Sequence, residues 1–272
     1  MAILVPSRLL AYRTRVRSIG WITSRVIAPL AGFDRRIRDN LAHARPDLPG
    51  EDVEALVRAV PDNMGRALIE TYSGAPFVSV ARAAPVTGPG LDILSDARAN
   101  GQPVIIVTAH FGNYDAARAN LIGHGFEIGG FYRPLDNPYV NKPYTRAITA
   151  IGKPLFTQTR KGMGNMVRHL KSGGVVAIVA DRHAVGCTIM PFFGQPASTS
   201  LVTAELALRF NAPLLPVYGL RKEDGINFEI VTQPPIPHSD PETMTREITD
   251  RLELLVRAHM DQWFWIHRRW KV

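Results

Sequence analysis

The sequence contains a single cysteine, Cys187, among its 272 residues. One thiol cannot form an intramolecular disulfide or a zinc site built from cysteines, so disulfide-stapled and cysteine–zinc domains are excluded. Glycine and proline recur without a period, which excludes collagen-like and low-complexity chains. The apolar fraction of 46% and the charged fraction of 21% are typical of a globular protein.

Motifs of several common enzyme classes are missing as well. The eight histidines form no H-x-x-x-H pair, which gives a metal site little support. The chain has no Walker A loop and no G-x-S-x-G elbow. Gly162 and Gly164 lack the third glycine of a dinucleotide-binding loop. We therefore expect no metal ion and no other bound cofactor.

Long apolar runs are absent, and the positive charge is concentrated at the two ends. The net charge is +8. Residues 1–38 carry eight arginines and one acid, and residues 251–272 carry five basic residues and two acids, so the body between them is near neutral. In the first segment the longest uncharged stretches, 18–24 and 26–33, fall far short of the roughly 20 residues that a membrane-spanning helix needs.

Several interpretations of the N-terminal segment remain open. Trp21 and branched aliphatic residues alternate with arginine, which is typical of a helix lying in a membrane interface. The pattern also fits a solvated first helix packed on the body, and an arginine-rich, acid-poor segment resembles a transit peptide. We expect residues 1–34 to be a basic amphipathic membrane-associating segment and residues 35–272 to be a single domain.

The C-terminal segment repeats this composition, with Trp263, Trp265 and Trp270 interleaved with arginine. Tryptophan and arginine together favour the headgroup level of a bilayer, so we expect these three residues and Trp21 to contact the membrane. The same composition also fits stacking on single-stranded nucleic acid. A third interpretation, that the rings close the core, is expected to hold for at least one of them.

After Gly101, short β-branched runs alternate with helical patterns. Before it, two helices are predicted within 33–73 and a short one over 91–99. Beyond it, the predicted strands are 104–109, 127–133, 175–180, 214–221 and 226–233, and the predicted helices are 114–123, 138–151, 161–171, 198–210 and 241–262. This order predicts an α/β domain whose central, largely parallel sheet is flanked by helices, preceded by a helical, basic N-terminal extension.

Reactive groups in such folds gather beyond the carboxyl ends of the strands. His110 directly follows the predicted strand 104–109, and Asn113 is a good N-cap for the next helix. Asp115 would then lie in the first helical turn, where it can fold back toward the imidazole. A histidine held by a carboxylate can act as a general base on an alcohol. The spacing also fits a simple helix cap, and it does not decide between the two.

The stretch His110-Phe111-Gly112-Asn113-Tyr114-Asp115 resembles the H-x4-D/E motif of the glycerolipid acyltransferase superfamily. In its HFGN form it is similar to the bacterial late (secondary) acyltransferases of lipid A biosynthesis. Further stretches resemble that family in the same order: 131–138 (FYRPLDNP), 180–182 (ADR) with 191–194 (PFFG), 204–207 (AELA) through 213–216 (PLLP) to Arg221, and 262–270 (QWFWIHRRW). Two positions depart from the pattern, since many lipid A enzymes have glutamate at Asp115 and glutamine at Arg182.

The resemblance implies transfer of a fatty acyl chain from a thioester, on acyl carrier protein or coenzyme A, to a hydroxyl of a lipid. The first acceptor it implies is a lipid A precursor, and a lysophospholipid or a phosphoinositide mannoside is the alternative. It also implies a peripheral or monotopic location at the cytoplasmic face of the bacterial inner membrane, with an anionic membrane surface as partner.

The resemblance assigns His110 as the general base and Asp115 as the group that orients it. Arg133, or backbone amides near Gly112, would stabilise the oxyanion, although a salt bridge to a neighbouring helix also fits Arg133. Phe193 and Gly194 would shape the acyl channel, unless they belong to a turn with core phenylalanines. The remaining expected substrate-binding residues are Asn113, Asp181, Arg182 and Arg221, with the last two arginines on acceptor phosphates.

A basic nucleic-acid-binding protein is the interpretation from another class. It rests on a pI near 9.9 and on the aromatic, basic C-terminal segment. It leaves His110 and Asp115 without a role, so we expect no nucleic acid among the partners.

Overall fold

The structure, a computed structural model, describes residues 9–183 and 187–271. The described chain begins with a helical region. Its helices are α1 (Tyr12–Ile22), a π-helical stretch (Thr23–Ile27), α2 (Ala28–Leu30), α3 (Phe33–Ala44), α4 (Gly50–Thr71) and α5 (Ala75–Arg82).

Strands and helices then alternate to the end of the domain. In order they are β1 (Val86–Thr87), α6 (Gly90–Ala99), β2 (Val104–Thr108), α7 (Tyr114–Gly123), β3 (Ile128–Tyr132), α8 (Pro138–Ile151), β4 (Leu155–Thr157), α9 (Arg160–Lys171), β5 (Val175–Val179), β6 (Thr188–Phe192), β7 (Gln195–Thr199), α10 (Val202–Phe210), β8 (Leu214–Arg221), β9 (Phe228–Thr232), α11 (Pro241–Ala258) and a 3₁₀ turn (Met260–Gln262).

Seven strands form one sheet in the order β1-β9-β8-β2-β5-β3-β4. Within this sheet only the pair β8–β9 is antiparallel. The predicted α/β class and the largely parallel sheet are therefore confirmed. All five residues of β2 are buried, as expected for a strand covered on both faces.

The register of two neighbouring strands determines where two of the predicted site residues lie. Thr108 at the end of β2 pairs with Val179 at the end of the parallel strand β5. His110 and Asp181 each follow two residues later, so both lie at the same edge of the sheet, one strand spacing apart.

Helices cover both faces of the sheet. On one face α5, α6 and α7 pack through a cluster that includes Phe77, Leu94 and Leu121. On the other face α9, α10 and α11 pack through Leu170, Ala207 and their neighbours. A third apolar cluster joins α3, α4 and the C-terminal segment over the carboxyl edge.

A β-hairpin replaces the first part of one predicted helix. The segment 195–199 is β7, paired antiparallel with β6, and the helix expected from 198 begins at Val202. The prolines Pro191 and Pro196 face each other within this hairpin and obscure its strand pattern. Its turn is Phe193-Gly194, where both residues adopt positive φ angles of 53° and 72°. The short strands β1 and β4 also lack a pattern long enough to predict.

The N-terminal helices pack on the domain along one side and expose apolar residues on the other. Val16 and Ile19 of α1 are buried, and the α1–α4 contact is extensive. Leu9 is 91% exposed, Trp21 59% and Leu30 85%. Among the described residues, no helix combines the length and the apolar character needed to cross a membrane. A domain boundary at residue 34 stays a prediction.

Candidate active site

The imidazole of His110 is held by Asp181. The Nδ1 atom of His110 lies 2.7 Å from Oδ1 of Asp181, and the backbone N–H of His110 donates to Oδ2 at 2.9 Å. The Asp181 side chain is almost fully buried, whereas that of His110 is 26% exposed. Burial alone would raise the pKa of Asp181, but the charge and hydrogen bonds of His110 hold that pKa below its ordinary value. The site is thus a buried carboxylate supporting an accessible histidine.

This contact assigns the two nitrogens of the ring. An ionised carboxylate only accepts hydrogen bonds, so Nδ1 of His110 carries the proton and donates to Asp181. Nε2 then keeps its lone pair and can accept a proton from a substrate.

The expected contact between His110 and Asp115 is wrong. The side chain of Asn113 caps α7 by accepting from the N–H groups of Asp115 and Ala116, which confirms the predicted N-cap. Asp115 therefore lies in the first turn of α7, and its side chain accepts a hydrogen bond from the Thr71 hydroxyl of α4 at 3.3 Å. Burial raises the pKa of Asp115, and the charge of Arg118 and the Thr71 hydrogen bond offset part of that rise.

Arg221 is held in a buried hydrogen-bond network and also lines a cavity beside the site. Its guanidinium is buried and bridges both carboxylate oxygens of Glu70 at 2.5 and 2.7 Å, and its Nε donates to Asn63. The amide of Asn113 donates to the same Glu70 at 2.8 Å. Both ends of the Asn113 side chain are thus engaged inside the fold. The substrate contact expected of Asn113 is wrong, because this buried network occupies its polar atoms, whereas the phosphate contact expected of Arg221 stays a prediction, since Arg221 also lines the neighbouring cavity.

The backbone N–H groups of Gly112 and Asn113, in the loop after β2, are already bonded inside the fold. Gly112 N–H donates to the Gln262 carbonyl at 2.8 Å, and Asn113 N–H donates to the Gly219 carbonyl at 2.9 Å. A Cβ atom on Gly112 would lie 2.1 Å from that carbonyl, at a φ of 52°, so glycine is required for this close approach. These two amides are therefore not free to stabilise an oxyanion, and a role for other backbone amides near Gly112 stays a prediction.

The two exposed arginines of the prediction lie beyond neighbouring strands of the same edge. Arg133 follows β3, is 62% exposed and lies 3.6 Å from Asp136. Arg182 follows Asp181 at the end of β5 and is exposed. Their contacts with an oxyanion or a phosphate stay predictions.

Two of the tryptophans assigned to the membrane are buried. Trp263 and Trp265 are essentially inaccessible, and their rings meet edge to face. Trp270 is half-buried, stacks on Trp265 and donates its indole N–H to the Phe192 carbonyl at 3.0 Å. The membrane contact expected for Trp263 and Trp265 is wrong, and Trp270 belongs to the same cluster. These rings close the core, so among the four only Trp21 presents an exposed indole.

The Phe193-Gly194 turn belongs to the same cluster. Phe193 is buried and packs edge to face on Trp265, while its N–H donates to Glu253. The expectation that the Phe193 ring shapes an acyl channel is therefore wrong. The alternative, that Phe193 belongs to a turn with core phenylalanines, is confirmed. Gly194 is exposed, and its expected acyl contact stays a prediction.

The C-terminal segment supplies residues that the sequence did not assign to the site. The indole N–H of Trp263 donates to Oδ2 of Asp181 at 3.0 Å. The N–H of Phe264 donates to the His110 carbonyl at 3.0 Å. The ring of His267 lies edge to face against that of His110, with centroids 4.6 Å apart. Pairing the predicted strands 104–109 and 175–180 in parallel would have identified Asp181 as the partner. Trp263 and His267 lie in the motif 262–270, but the motif by itself did not place them beside His110.

His267 is neutral over the working pH range. Burial and the neighbouring charge of His110 lower the pKa of His267 to about 3. Its Nε2 is buried without a hydrogen-bond partner among the described residues. The uncharged imidazole of His267 therefore packs against one side of the His110 ring.

A large cavity lies beside this site, and His110 is not among its lining residues. It has a volume of about 980 Å³. Charged side chains line much of it, including Arg58, Arg66, Lys222 and Asp261, and Trp21 stands at its margin. Within the described residues, no cluster of three or more histidine, cysteine or acidic side chains is arranged for a metal ion.

Comparisons with known proteins agree with the motifs. A family model described as "Bacterial lipid A biosynthesis acyltransferase" matches residues 2–272. A lipid A biosynthesis lauroyltransferase of Escherichia coli K12 is 28% identical over 86% of this chain and 78% of its own length. A lipid A biosynthesis acyltransferase of Haemophilus influenzae is 26% identical, over 93% of this chain and 81% of its own length.

A relative with a different stated acceptor also matches. A phosphatidylinositol mannoside acyltransferase of Mycobacterium tuberculosis H37Rv is 24% identical over 92% of this chain and 86% of its own length. The family match extends over nearly the whole sequence and includes every element that builds the His110 site. The chain therefore belongs to the bacterial lipid A biosynthesis acyltransferase family.

Proposed function

We propose that this enzyme transfers a fatty acyl chain from an acyl thioester, on acyl carrier protein or coenzyme A, to a hydroxyl group of a lipid A precursor. The observation that carries the mechanism is the 2.7 Å contact between Nδ1 of His110 and Asp181 at the carboxyl edge of the sheet. A related acceptor, a lysophospholipid or a phosphoinositide mannoside, is the second candidate, and similarity to the mycobacterial mannoside acyltransferase favours keeping it.

The chemistry follows from the protonation of His110. Its Nε2 removes the proton of the acceptor hydroxyl as the oxygen attacks the thioester carbonyl. Asp181 stabilises the imidazolium that forms and keeps the ring in one tautomer. When the tetrahedral intermediate collapses, the C–S bond breaks and the leaving thiolate takes the proton from His110. The hydroxyl has become an ester and the donor a free thiol, so atoms and charges balance without a metal or a redox group.

The acceptor is a membrane lipid in this proposal, so we place the enzyme on an anionic bilayer at the cytoplasmic face of the bacterial inner membrane. The exposed apolar side chains of the N-terminal helices, and of the two described residues Leu9 and Leu10 just before them, support this, since they lie among arginines. They are Leu9, Leu10, Trp21, Val26 and Leu30. Such a surface is typical of a helix resting in the interface.

The test is an acyl-transfer assay with purified enzyme, acyl carrier protein or coenzyme A thioesters, and a panel of lipid acceptors analysed by mass spectrometry. We expect His110→Ala and Asp181→Asn to lower kcat roughly 10²–10⁴-fold with the fold intact by circular dichroism.

Asp115→Asn is the matched comparison, since it makes the same chemical change at the other carboxylate. It should leave kcat near that of the wild type and act mainly on thermal stability, because it removes a buried negative charge that acts on Arg118. A large loss of kcat in Asp115→Asn, with kcat unchanged in Asp181→Asn, would reverse the assignment.

A further inference from the structure

A large part of the positive charge lies in one contiguous stretch of the body, not at the chain ends. Residues 128–180, from β3 through β5, contain eight lysines and arginines and a single acid, Asp136. The region between the two chain ends is near neutral because acidic residues elsewhere in it balance the charge of this strongly cationic segment. All eight basic side chains are exposed: Arg133, Lys142, Arg146, Lys153, Arg160, Lys161, Arg168 and Lys171.

Helix α9 concentrates half of these charges on one face. At 100° per residue, Arg160, Lys161, Arg168 and Lys171 fall within an arc of about 100°. Gly162, Met166 and Leu170 lie on the opposite face and are buried. The cationic stripe is about 16 Å long, from a rise of about 1.5 Å per residue, which is too long for one phosphate group to cover. We call these four residues the α9 stripe.

Helix α11 pairs its charges within the helix, and α9 does not. In α11, Arg246 pairs with Asp250, Glu247 with Arg251 and Glu253 with Arg257. The sequence of α9 contains no acid at all. The stripe therefore carries charge of one sign, so it attracts an anionic partner and repels a cationic one.

The stripe begins at the edge that carries the catalytic pair. The strand order β2-β5-β3-β4 puts β4 three strands from β2, about 14 Å at about 4.8 Å per strand. Helix α9 starts three residues after β4, so Arg160 lies at the carboxyl edge, on the same side as His110 and Asp181. A partner bound along α9 can present a flexible arm to that edge.

We infer that the α9 stripe is the docking surface for an acidic acyl carrier protein, the protein form of the thioester donor. This rests on the proposed function for the identity of the donor. Acyl carrier proteins are small, strongly acidic and helical, so an acidic helix laid along α9 is matched in sign and in length. The carrier's prosthetic arm then delivers the thioester to His110.

A bilayer fits the stripe less well than a protein does. Met163 is the exposed large apolar side chain of α9, and it lies off the cationic arc. The N-terminal helices, in contrast, expose Leu9, Trp21 and Leu30 between arginines. Apolar side chains for insertion and cations for docking thus occupy two different surfaces.

The test measures binding of acyl carrier protein directly and turnover separately. The variant is the triple charge reversal Lys161→Glu, Arg168→Glu and Lys171→Glu. The control is the reversal of three exposed cations on other elements, Arg35→Glu, Arg58→Glu and Lys222→Glu, which changes the net charge equally. Binding of the carrier to the wild-type enzyme should weaken with added salt. The α9 variant should bind it roughly tenfold more weakly or worse, and the control should bind it within about threefold of wild type.

Turnover assays with different acyl donors then distinguish between the possible outcomes. With lauroyl-, myristoyl- or palmitoyl-loaded carrier, the α9 variant should lose kcat/KM while its rate with the uncharged acyl-pantetheine stays unchanged. An equal loss with acyl-coenzyme A, carrier binding equal to wild type, or a loss confined to binding of phosphatidylglycerol vesicles would each overturn the docking surface. Salt-sensitive carrier binding that α9 alone controls, without acyl transfer from any donor, would instead reject the proposed function and leave the surface standing.

Discussion

At the scale of single residues, the protein isolates one reactive nitrogen. Asp181 occupies Nδ1 of His110, the backbone N–H of His110 is bonded to the same carboxylate, and Trp263 donates to it as well. Three donors on one buried carboxylate keep it ionised and fixed in position. The neutral ring of His267 closes one side of the imidazole without adding a charge that would compete for Asp181.

His267 makes the stability of the fold depend on pH in a defined window. Its pKa is about 3 in the folded state and about 6.5 when unfolded, so the unfolded chain binds more protons between these values. Its contribution is complete above about pH 6.5 and decreases as the pH falls toward 3. We expect His267→Gln to lose less free energy of unfolding than wild type between about pH 7.5 and about pH 5, measured by urea denaturation.

Asp181 does not confound this measurement. Its pKa is lowered on folding, so its stabilisation disappears only below the ordinary range of a carboxyl group. Equal pH slopes for His267→Gln and wild type above about pH 5 would show that His267 is protonated in the folded state.

At the scale of elements, the C-terminal segment completes the candidate active site. Gln262, Trp263 and Phe264 run alongside the loop after β2, and each is bonded to that loop or to Asp181. Arg269 then fastens the β6–β7 hairpin by donating to Ser198 and Thr199 at 2.7 Å. One terminal segment therefore joins the catalytic loop, the supporting carboxylate and the hairpin.

Trp263→Phe tests the role of this segment, because it keeps a ring in the core and removes the N–H that Asp181 accepts. A hydrogen bond to a charged group contributes about 1.5–3 kcal/mol, so we expect kcat to fall about tenfold or more. Trp270→Phe is the matched control, since its indole donates to the Phe192 carbonyl outside the catalytic pair. If both variants lost kcat equally, the Trp263 bond would be structural only.

At the scale of the whole molecule, two exposed surfaces serve the two substrates in our proposals. The N-terminal helices present apolar side chains and arginines, and the α9 stripe presents cations with little apolar area. The sheet separates them, since β4 next to α9 forms one edge and β8 and β9 lie toward the other. A lipid acceptor and an acidic donor can then approach the carboxyl edge from different directions.

The membrane surface is tested with vesicles containing anionic phospholipid. The double variant Trp21→Ala and Leu30→Glu removes exposed apolar area and adds a charge, so we expect binding measured by co-sedimentation to fall at least tenfold. Leu254→Glu on α11 is the control, because Leu254 is also exposed but lies on another helix. Unchanged sedimentation of the double variant would reject these helices as the bilayer contact.

The sequence by itself determined the α/β class, most element positions, the His110 motif and the resemblance to an acyltransferase family. These are local properties, since β-branched runs, a capping asparagine and a glycine-bearing turn depend on residues close in the chain. Asp115 looked like the partner of His110 for the same reason, because it lies five residues away and Asp181 lies 71 residues away.

Only the tertiary structure decided which carboxylate supports the imidazole, where Arg221 and the tryptophans lie, and how the cations divide between surfaces. Parallel pairing of β2 with β5 brings Asp181 to His110, and capping by Asn113 turns Asp115 toward α4. Tryptophans and arginines from segments of similar composition are therefore buried in some places and exposed in others. Their burial depends on strand register and on helix packing between segments that are distant in the chain. Local sequence patterns do not specify which distant segments will pair.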